Sequence, residues 1–463
     1  MLSRLPYALM LVGLTMMLAG ALHCVGERPA GEFTARSAGS ETAVSGASTR
    51  TRVDAGATST EAVDADAGAP PHEQAPLRVE SWPALSPLTP SVVADLRAIA
   101  ARGEAQRDDV FAKLGGSSVV SHAFLHCFRG QNVVLGEHTE LQATIDFFAH
   151  GRAGGTSPFT RESLATHEGW SIRHGLTGRP TRVEQEVRAI SPRYAFALFG
   201  GNDVMARRPR TFHRHLLRLI EKLERRGVIP ILGSTMPRRA RSDMEEWARR
   251  YDGVSRAVAI SRGLPYMDVH ALALELPGRG LARDGVHPNV YLDHRRSRAC
   301  DFTEEGVRHG QNVRNLLAIQ TLDRLRRALT AGEPPPDADP PETQGDGSAL
   351  APVEVERLPF AEFRTREMSA AGDLTGSACT PERSVAVPAR LYRVIISEPL
   401  RVRAWAFTTD GESLPIALLG ADASPASCVS AHRDGLFELA EGSWVFAVEA
   451  LGDPEFTFSL TAE

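Results

Sequence analysis

Tyr194-Ala195-Phe196-Ala197-Leu198-Phe199-Gly200-Gly201-Asn202-Asp203 is an unbroken apolar run that ends in two glycines and two polar side chains. An apolar run this short, bounded by a turn signal, reads as a strand buried on both faces, the kind found in parallel sheets. Val110 to Leu114, Val228 to Leu232 and Tyr266 to Val269 read the same way. Amphipathic stretches lie between and after these runs. Phe212, Leu216, Ile220 and Leu223 fall on one stripe at helical spacing, and so do Leu316, Ile319, Leu322, Leu325 and Leu329. Strands alternating with helices predict an α/β domain whose parallel sheet is covered on both faces. Ligands bind beyond the carboxyl ends of the strands in such sheets, so the residues that follow each strand are where chemistry is to be sought.

Outward from this core the composition changes twice. Residues 26–83 are rich in Ala, Gly, Ser, Thr and acidic side chains without an apolar period, which predicts a low-complexity tether. Gly332 to Ser348 mixes stiff Pro with flexible Gly and predicts a linker. At the start of the chain, Arg4 followed by an apolar run from Tyr7 to Leu22 has the form of an export signal. Two ends to that signal are open. Small residues leading to a cysteine resemble a bacterial lipoprotein signal, with Cys24 lipidated as the new N-terminus; Ala19-Gly20-Ala21 fits ordinary cleavage after Ala21. The expected layout is therefore a signal over 1–24, a tether over 25–83, an α/β domain over 84–331, a linker over 332–350 and a β domain over 351–463. With a formal net charge of -5, the chain has no electrostatic reason to bind nucleic acid.

Three segments at strand ends stand out. Gly115-Gly116-Ser117-Ser118 follows the first strand, Gly200-Gly201-Asn202-Asp203 the second, and Asp284-Gly285-Val286-His287-Pro288-Asn289 comes after the last strand and a loop. Each alone is an ordinary turn or surface loop. Their conjunction and order resemble the SGNH (GDSL-like) esterase superfamily, in which four blocks supply a serine, a glycine, an asparagine and a D-x-x-H pair on a flavodoxin-like three-layer α/β/α fold.

The resemblance covers about Ser91 to Leu329. It implies Ser117 as nucleophile, His287 as base and Asp284 as the group that orients the imidazole, acting through an acyl-enzyme. It implies an oxyanion hole made by the backbone N–H groups of Ser117 and Gly169 and the Asn202 amide. Gly169 is preferred over Gly154-Gly155 and Gly175 because Gly169-Trp170-Ser171 keeps the family's spacing to a helix-starting hydroxyl. Block I departs from the family's G-D-S, since Gly116 stands where the Asp belongs, and Ser118 is the fallback nucleophile. No cofactor is implied, and no metal-ligand spacing is evident.

Past the linker, Leu391 to Ile396, Leu400 to Phe407, Trp444 to Val448 and Phe456 to Leu460 are short alternating runs separated by Gly- and Asp-containing turns, the pattern of a small all-β sandwich. This region is weakly similar to the pre-peptidase C-terminal domains of secreted bacterial enzymes. Four cysteines remain besides Cys24 and divide by domain, which predicts Cys127 with Cys300 and Cys379 with Cys428 in an oxidising compartment. The expected activity is that of an exported carboxylic-ester hydrolase on an acylated carbohydrate or lipid, membrane-bound only through an N-terminal lipid. A degenerate domain that binds a cell-surface glycan, or an O-acyltransferase, are the alternatives.

Overall fold

The computed structural model describes residues 75–463 except 104, 131, 240–242, 365–378, 380–387 and 450–454. The expected signal and Cys24 lie outside the described residues. Four parallel strands, β1 (Arg107–Gly115), β2 (Pro192–Leu198), β3 (Ile229–Gly233) and β4 (Tyr266–Met267), pair in the order 1-2-3-4. Their central residues are buried on both faces, as the apolar runs require: Ala112 lies beside Ala195, and Phe196 beside Ile231. On the free side of β1 there is one parallel bridge, Gly115 to Thr166, where a flavodoxin-like order would place another strand.

Among the described residues seven helices of seven residues or more cover the sheet: α1 (Pro90–Ala100), α2 (Gln142–His150), α3 (Arg182–Ile190), α4 (Pro209–Glu224), α5 (Asp243–Ser261), α6 (Val269–Glu275) and α7 (Gly310–Leu325). Their starts follow local chemistry. The Thr89 hydroxyl accepts from Val92 N–H with Pro90 in the first turn of α1, and Thr181 with Glu184 forms a reciprocal capping box on α3. In α4 the predicted stripe of Phe212, Leu216, Ile220 and Leu223 is buried. Helix α7 departs from a simple stripe, because it is enclosed nearly all round and Asn312, Asn315 and Arg314 are buried with the leucines. Buried amides need partners, and Asn315 has them: it donates to Ala123 O and Ala299 O and accepts from Leu125 N. These bonds gather the segment after Ser117 and the segment after His287 onto one helix. The Cys127–Cys300 disulfide joins the same two segments, and Cys379–Cys428 closes the second predicted bridge.

The C-terminal region is a sandwich of two sheets. One has the order β5-β12-β7-β10, from β5 (Phe360–Arg364), β7 (Leu400–Thr408), β10 (Asp434–Leu439) and β12 (Phe456–Ala462); the other has β9-β8-β11-β6, from β6 (Ala389–Ile396), β8 (Ile416–Leu419), β9 (Ser430–His432) and β11 (Gly442–Glu449), with Val353–Glu354 added parallel to β6. Tyr392, Val402, Phe437, Phe446 and Phe458 fill the space between them.

The sandwich is seated on helices of the α/β domain. Trp405 and Phe407 of β7 join the α/β core, and the His213 ring of α4 meets Thr457 Oγ1 at 3.0 Å. Both connecting segments are tied down as well. Of the expected tether, Leu77 is buried in the sandwich core and Arg78–Val79 pair with Arg357–Leu358. In the expected linker, Asp337 accepts from Leu88 N–H and pairs with Arg324, and Asp339 accepts from Ser91 N–H.

Candidate active site

The carboxyl ends of the four strands converge on a cleft of about 110 Å³, lined by Ser117, Trp170, Asn202, Thr235, Arg238, His287 and Arg314 among others. Strand β1 ends at Gly115, and Ser117 opens a single helical turn, Ser117–Val120, whose first carbonyl bond runs from Val119 N–H to Gly116 O at 2.9 Å. The hydroxyl of Ser117 is thereby presented at the top of the sheet. His287 comes from the loop after α6. Its Nε2 lies 2.8 Å from Ser117 Oγ, and its Nδ1 lies 2.7 Å from Asp284 Oδ2.

The other Asp284 oxygen accepts from the N–H groups of Val286 and His287, so the three-residue spacing closes a small ring that fixes carboxylate and imidazole together. Burial works to raise the Asp284 carboxyl; the bonds from the His287 side chain and from the two backbone N–H groups outweigh it and hold the group at about 2. Asp284 is therefore an anion throughout the neutral range. Ser118, the alternative nucleophile, also faces the cleft, but the imidazole is bonded to Ser117.

After β2 the chain turns sharply at Gly200, which has φ +111° and whose Cβ would lie 2.9 Å from Thr235 Cγ2. Only glycine meets both demands. The turn delivers Asn202 to the cleft, where its Nδ2 donates to Trp170 O at 2.9 Å. One amide hydrogen is then committed, and no hydrogen bond among the described residues uses the other. Asp203, next in sequence, is buried and accepts from Gly200 N–H and Ile172 N–H. Burial is the main influence on it and lifts its carboxyl to about 6 against those bonds. Asp203 thus clips the asparagine turn to the segment that follows Gly169.

Gly169 itself has φ +73°, and Trp170, its neighbour, is the one that lines the cleft. The departure at Gly116 has a physical cause. A Cβ there would lie 2.7 Å from Asn202 Nδ2 and 2.9 Å from Trp170 O, so the Asn202–Trp170 bond occupies the space a side chain would need.

Behind the cleft is a second acid–imidazole cluster that the sequence reading did not single out. His270 Nδ1 lies 2.7 Å from Asp252 and its Nε2 3.2 Å from Glu245. Asp252 and Glu245 accept from the Thr235 and Arg238 backbone N–H groups, and His270 N–H bonds Ser234 Oγ, so this cluster carries the wall formed after β3. The signal was weak: the three residues are separated along α5 and α6, and only the fold brings them together. Two cleft arginines, Arg238 and Arg314, were also missed. Among the described residues no group of three His, Cys, Asp or Glu side chains is arranged to hold a metal ion, and no helix is long and apolar enough to cross a membrane.

Residues 138–291 match the sequence model of the GDSL-like Lipase/Acylhydrolase family. No curated protein matches the chain. Similar solved structures include a GDSL-like lipase from Bacteroides thetaiotaomicron VPI-5482, with 16% identity, 50% of this chain and 98% of that one covered, and a TM-score of 0.30. An acetylxylan esterase from Geobacillus stearothermophilus is 14% identical over 47% of this chain and 96% of its own, with a TM-score of 0.30. A two-domain esterase active on acetylated mannans is 12% identical over 81% of this chain and 96% of its own, with a TM-score of 0.28. The family match falls on the segment that runs from before α2 to just past His287 and includes three of the four parallel strands; the parallel sheet with its helices fits an α/β hydrolase domain of the GDSL-like kind, and the protein is a hydrolase.

Proposed function

We propose that the protein is an exported serine esterase that cleaves carboxylic esters of an acylated carbohydrate through an acyl-enzyme on Ser117. The observation that carries this reading is the unbroken chain from Ser117 Oγ to His287 Nε2 and from His287 Nδ1 to Asp284, at 2.8 and 2.7 Å. A serine hydroxyl is a weak nucleophile without a base in reach. His287 takes its proton as Oγ attacks the ester carbonyl, and then returns that proton to the departing alcohol. The second half runs the same way with water in place of the alcohol, and Ser117 is regenerated. Asp284, ionised at neutral pH, keeps the Nδ1 proton in place and stabilises the imidazolium.

The oxyanion is met by the uncommitted N–H of Asn202 and by the backbone N–H group of Ser117, both in the cleft; Gly169, the third donor expected, adjoins it through Trp170. The Asn202 donor is aimed in advance by Trp170 O, so it needs no reorganisation when charge develops. Two disulfides suit an oxidising compartment, in line with a signal over 1–24 and either a lipid on Cys24 or cleavage after Ala21. The proposed domain limits are 84–331 and 351–463, with the sandwich serving attachment or substrate targeting, as pre-peptidase C-terminal domains do by analogy.

A fluorophosphonate probe tests the nucleophile. Folded wild-type protein should label and hydrolyse p-nitrophenyl acetate, Ser117→Ala should do neither, and Ser118→Ala should do both. Folded protein that neither labels nor turns over any short ester would leave the domain a binding module. Release of free acid in the presence of sugar acceptors separates hydrolysis from acyl transfer.

A further inference from the structure

Arg314 is a cation without a carboxylate. It projects from α7, is 5% exposed, and lines the cleft beside Ser117. Nη1 donates to Ser118 O and the guanidinium stacks 4.2 Å from the Phe124 ring, but among the described residues no Asp or Glu pairs with it. Burial alone acts on it and pulls it down to about 9, still charged at neutral pH. Holding an unpaired charge away from water is costly, and such a group is ordinarily compensated. Arg238 faces the same cleft at 8% exposure; Nη2 is committed to Gly201 O, and Asp252, Glu245 and Asp284 act on its charge from beyond ion-pair distance, so Arg314 is the less compensated of the two. Among the described residues no acidic side chain lines the cleft.

A second observation is independent of the first. Three residues beyond Trp170, Arg173 enters a separate groove of about 670 Å³. Arg179, Arg188 and Arg218 line it too; all four are exposed, and none has a carboxylate partner among the described residues. His215 in the same groove is pushed below its ordinary value by burial and then by Arg214, Arg218 and Arg173. In a chain of net charge -5 this is a local excess of positive charge, and guanidinium forks match the geometry of planar oxyanions.

We propose that the ester substrate is an anionic sugar chain, with a carboxylate or sulfate near the scissile ester engaged by Arg314 and Arg238 and the following charges held in the groove of Arg173, Arg179, Arg188 and Arg218. This rests on the serine esterase reading and names its substrate class. The unpaired guanidinium is then completed by the substrate, which couples binding of the correct sugar to the position of the ester over Ser117.

The test uses full-length protein and three acetylated polymers matched in acetyl content: a polyuronate, a sulfated galactan and a neutral xylan. At low salt, kcat/KM for one of the anionic polymers should exceed that for xylan by at least about 10-fold, and the excess should shrink as ionic strength rises; which of the two it is separates carboxylate from sulfate. Arg314→Gln should lower the anionic-to-neutral ratio by about 10- to 100-fold, the loss of a charged hydrogen bond. Should that buried variant misfold, Arg173→Glu with Arg218→Glu, both at the surface, should raise KM for the anionic polymer while kcat holds. Equal kcat/KM for all three polymers in a protein that cleaves p-nitrophenyl acetate would overturn the proposal and leave the esterase reading intact. If no ester is cleaved, calorimetry on Ser117→Ala decides: deacetylated polyuronate or sulfated galactan binding more tightly than xylan supports the anionic site, and equal or absent binding overturns it.

Discussion

Two regions of the α/β domain hold an imidazole 2.7 Å from an aspartate, His287 with Asp284 and His270 with Asp252, yet they are built for different ends. The first pair is open, at 45% and 50% side-chain exposure; the second is sealed, at 6% and 4%. The decisive difference is at the other ring nitrogen. For His287 it is a hydroxyl, and for His270 a second carboxylate, Glu245. Burial is the largest influence on His270 and opposes its charge, but the two carboxyl groups outweigh it and raise the imidazole to about 9. Burial also works to raise Asp252, against His270 beside it; with two acids facing one ring, the cation is the state the cluster favours. A histidine held as a fixed cation has no lone pair to offer and serves as a strut, whereas one bonded to a hydroxyl can take a proton. An imidazole–aspartate distance is therefore no mark of catalysis by itself.

The sharpest break between the two pairs is at the carboxylates. Asp284→Asn should lower kcat for p-nitrophenyl acetate by about 10⁴-fold with the fold kept, because the imidazole then sits in the wrong tautomer. Asp252→Asn should cost stability while the rate per folded molecule stays within about 10-fold. Circular dichroism and active-site titration read the two separately, and equal rate losses would put both clusters in the mechanism.

A smaller effect is expected at Gly116. Its added Cβ in Gly116→Ala would push Asn202 off Trp170, so the rate should fall by about 100-fold or more, the worth of one oxyanion donor. Asn202→Ala should lose a similar amount and the double variant little beyond either, since both remove the same donor. An unimpaired Gly116→Ala enzyme would show that the asparagine does not act in the rate-limiting step.

The strut should reveal itself through pH. His270 has its folded value above the unfolded value near 6.5, so the folded state binds the extra proton between the two. Its contribution is whole below about pH 6.5 and is lost as pH rises through about 9, at most on the order of 3 kcal/mol. Thermal midpoints of wild type should therefore fall toward those of His270→Gln between pH 6.5 and 9.5. A constant gap between the two would show that the charge of His270 is not what holds the wall behind the cleft.

A second buried histidine has the opposite sign and, at the hydrogen bond it makes, the smallest expected effect. His213, at the junction with the sandwich, is lowered by burial to about 3, with Arg262 adding to the effect. The unfolded chain takes up the proton first, so stability is whole above about 6.5 and declines as pH falls toward 3. Thr457→Val, which removes its partner, should cost about 1 kcal/mol at neutral pH, read by urea unfolding. No change would mean that Trp405 and Phe407 hold the junction without it.

Much of this was legible locally. The apolar runs marked β1 to β4, the stripe of α4 marked a buried face, and the D-x-x-H spacing placed carboxylate and imidazole in one loop, because each depends on neighbours close in sequence. Helix α7 was readable as a helix but not as the scaffold of the site: Asn312, Arg314 and Asn315 look like a solvated edge until the segments around Cys127 and Cys300 are folded against them. The low-complexity segment before the α/β domain gave no sign that Leu77 enters the sandwich core, since one leucine has no period.

From the sequence by itself came the residue types and their order: a serine, an asparagine and an aspartate–histidine pair at strand ends, two domains of different pattern, and cysteines that divide between them. The tertiary structure alone decided which partner each group meets. Ser117 and His287 are 170 positions apart and touch only because parallel strands open at one end of the sheet. Whether a histidine is base or strut, whether an arginine has a counter-ion, and whether a glycine is a turn or the space kept for a neighbouring amide are properties of what lies within a few ångströms. Those distances are set by packing across the chain and not along it.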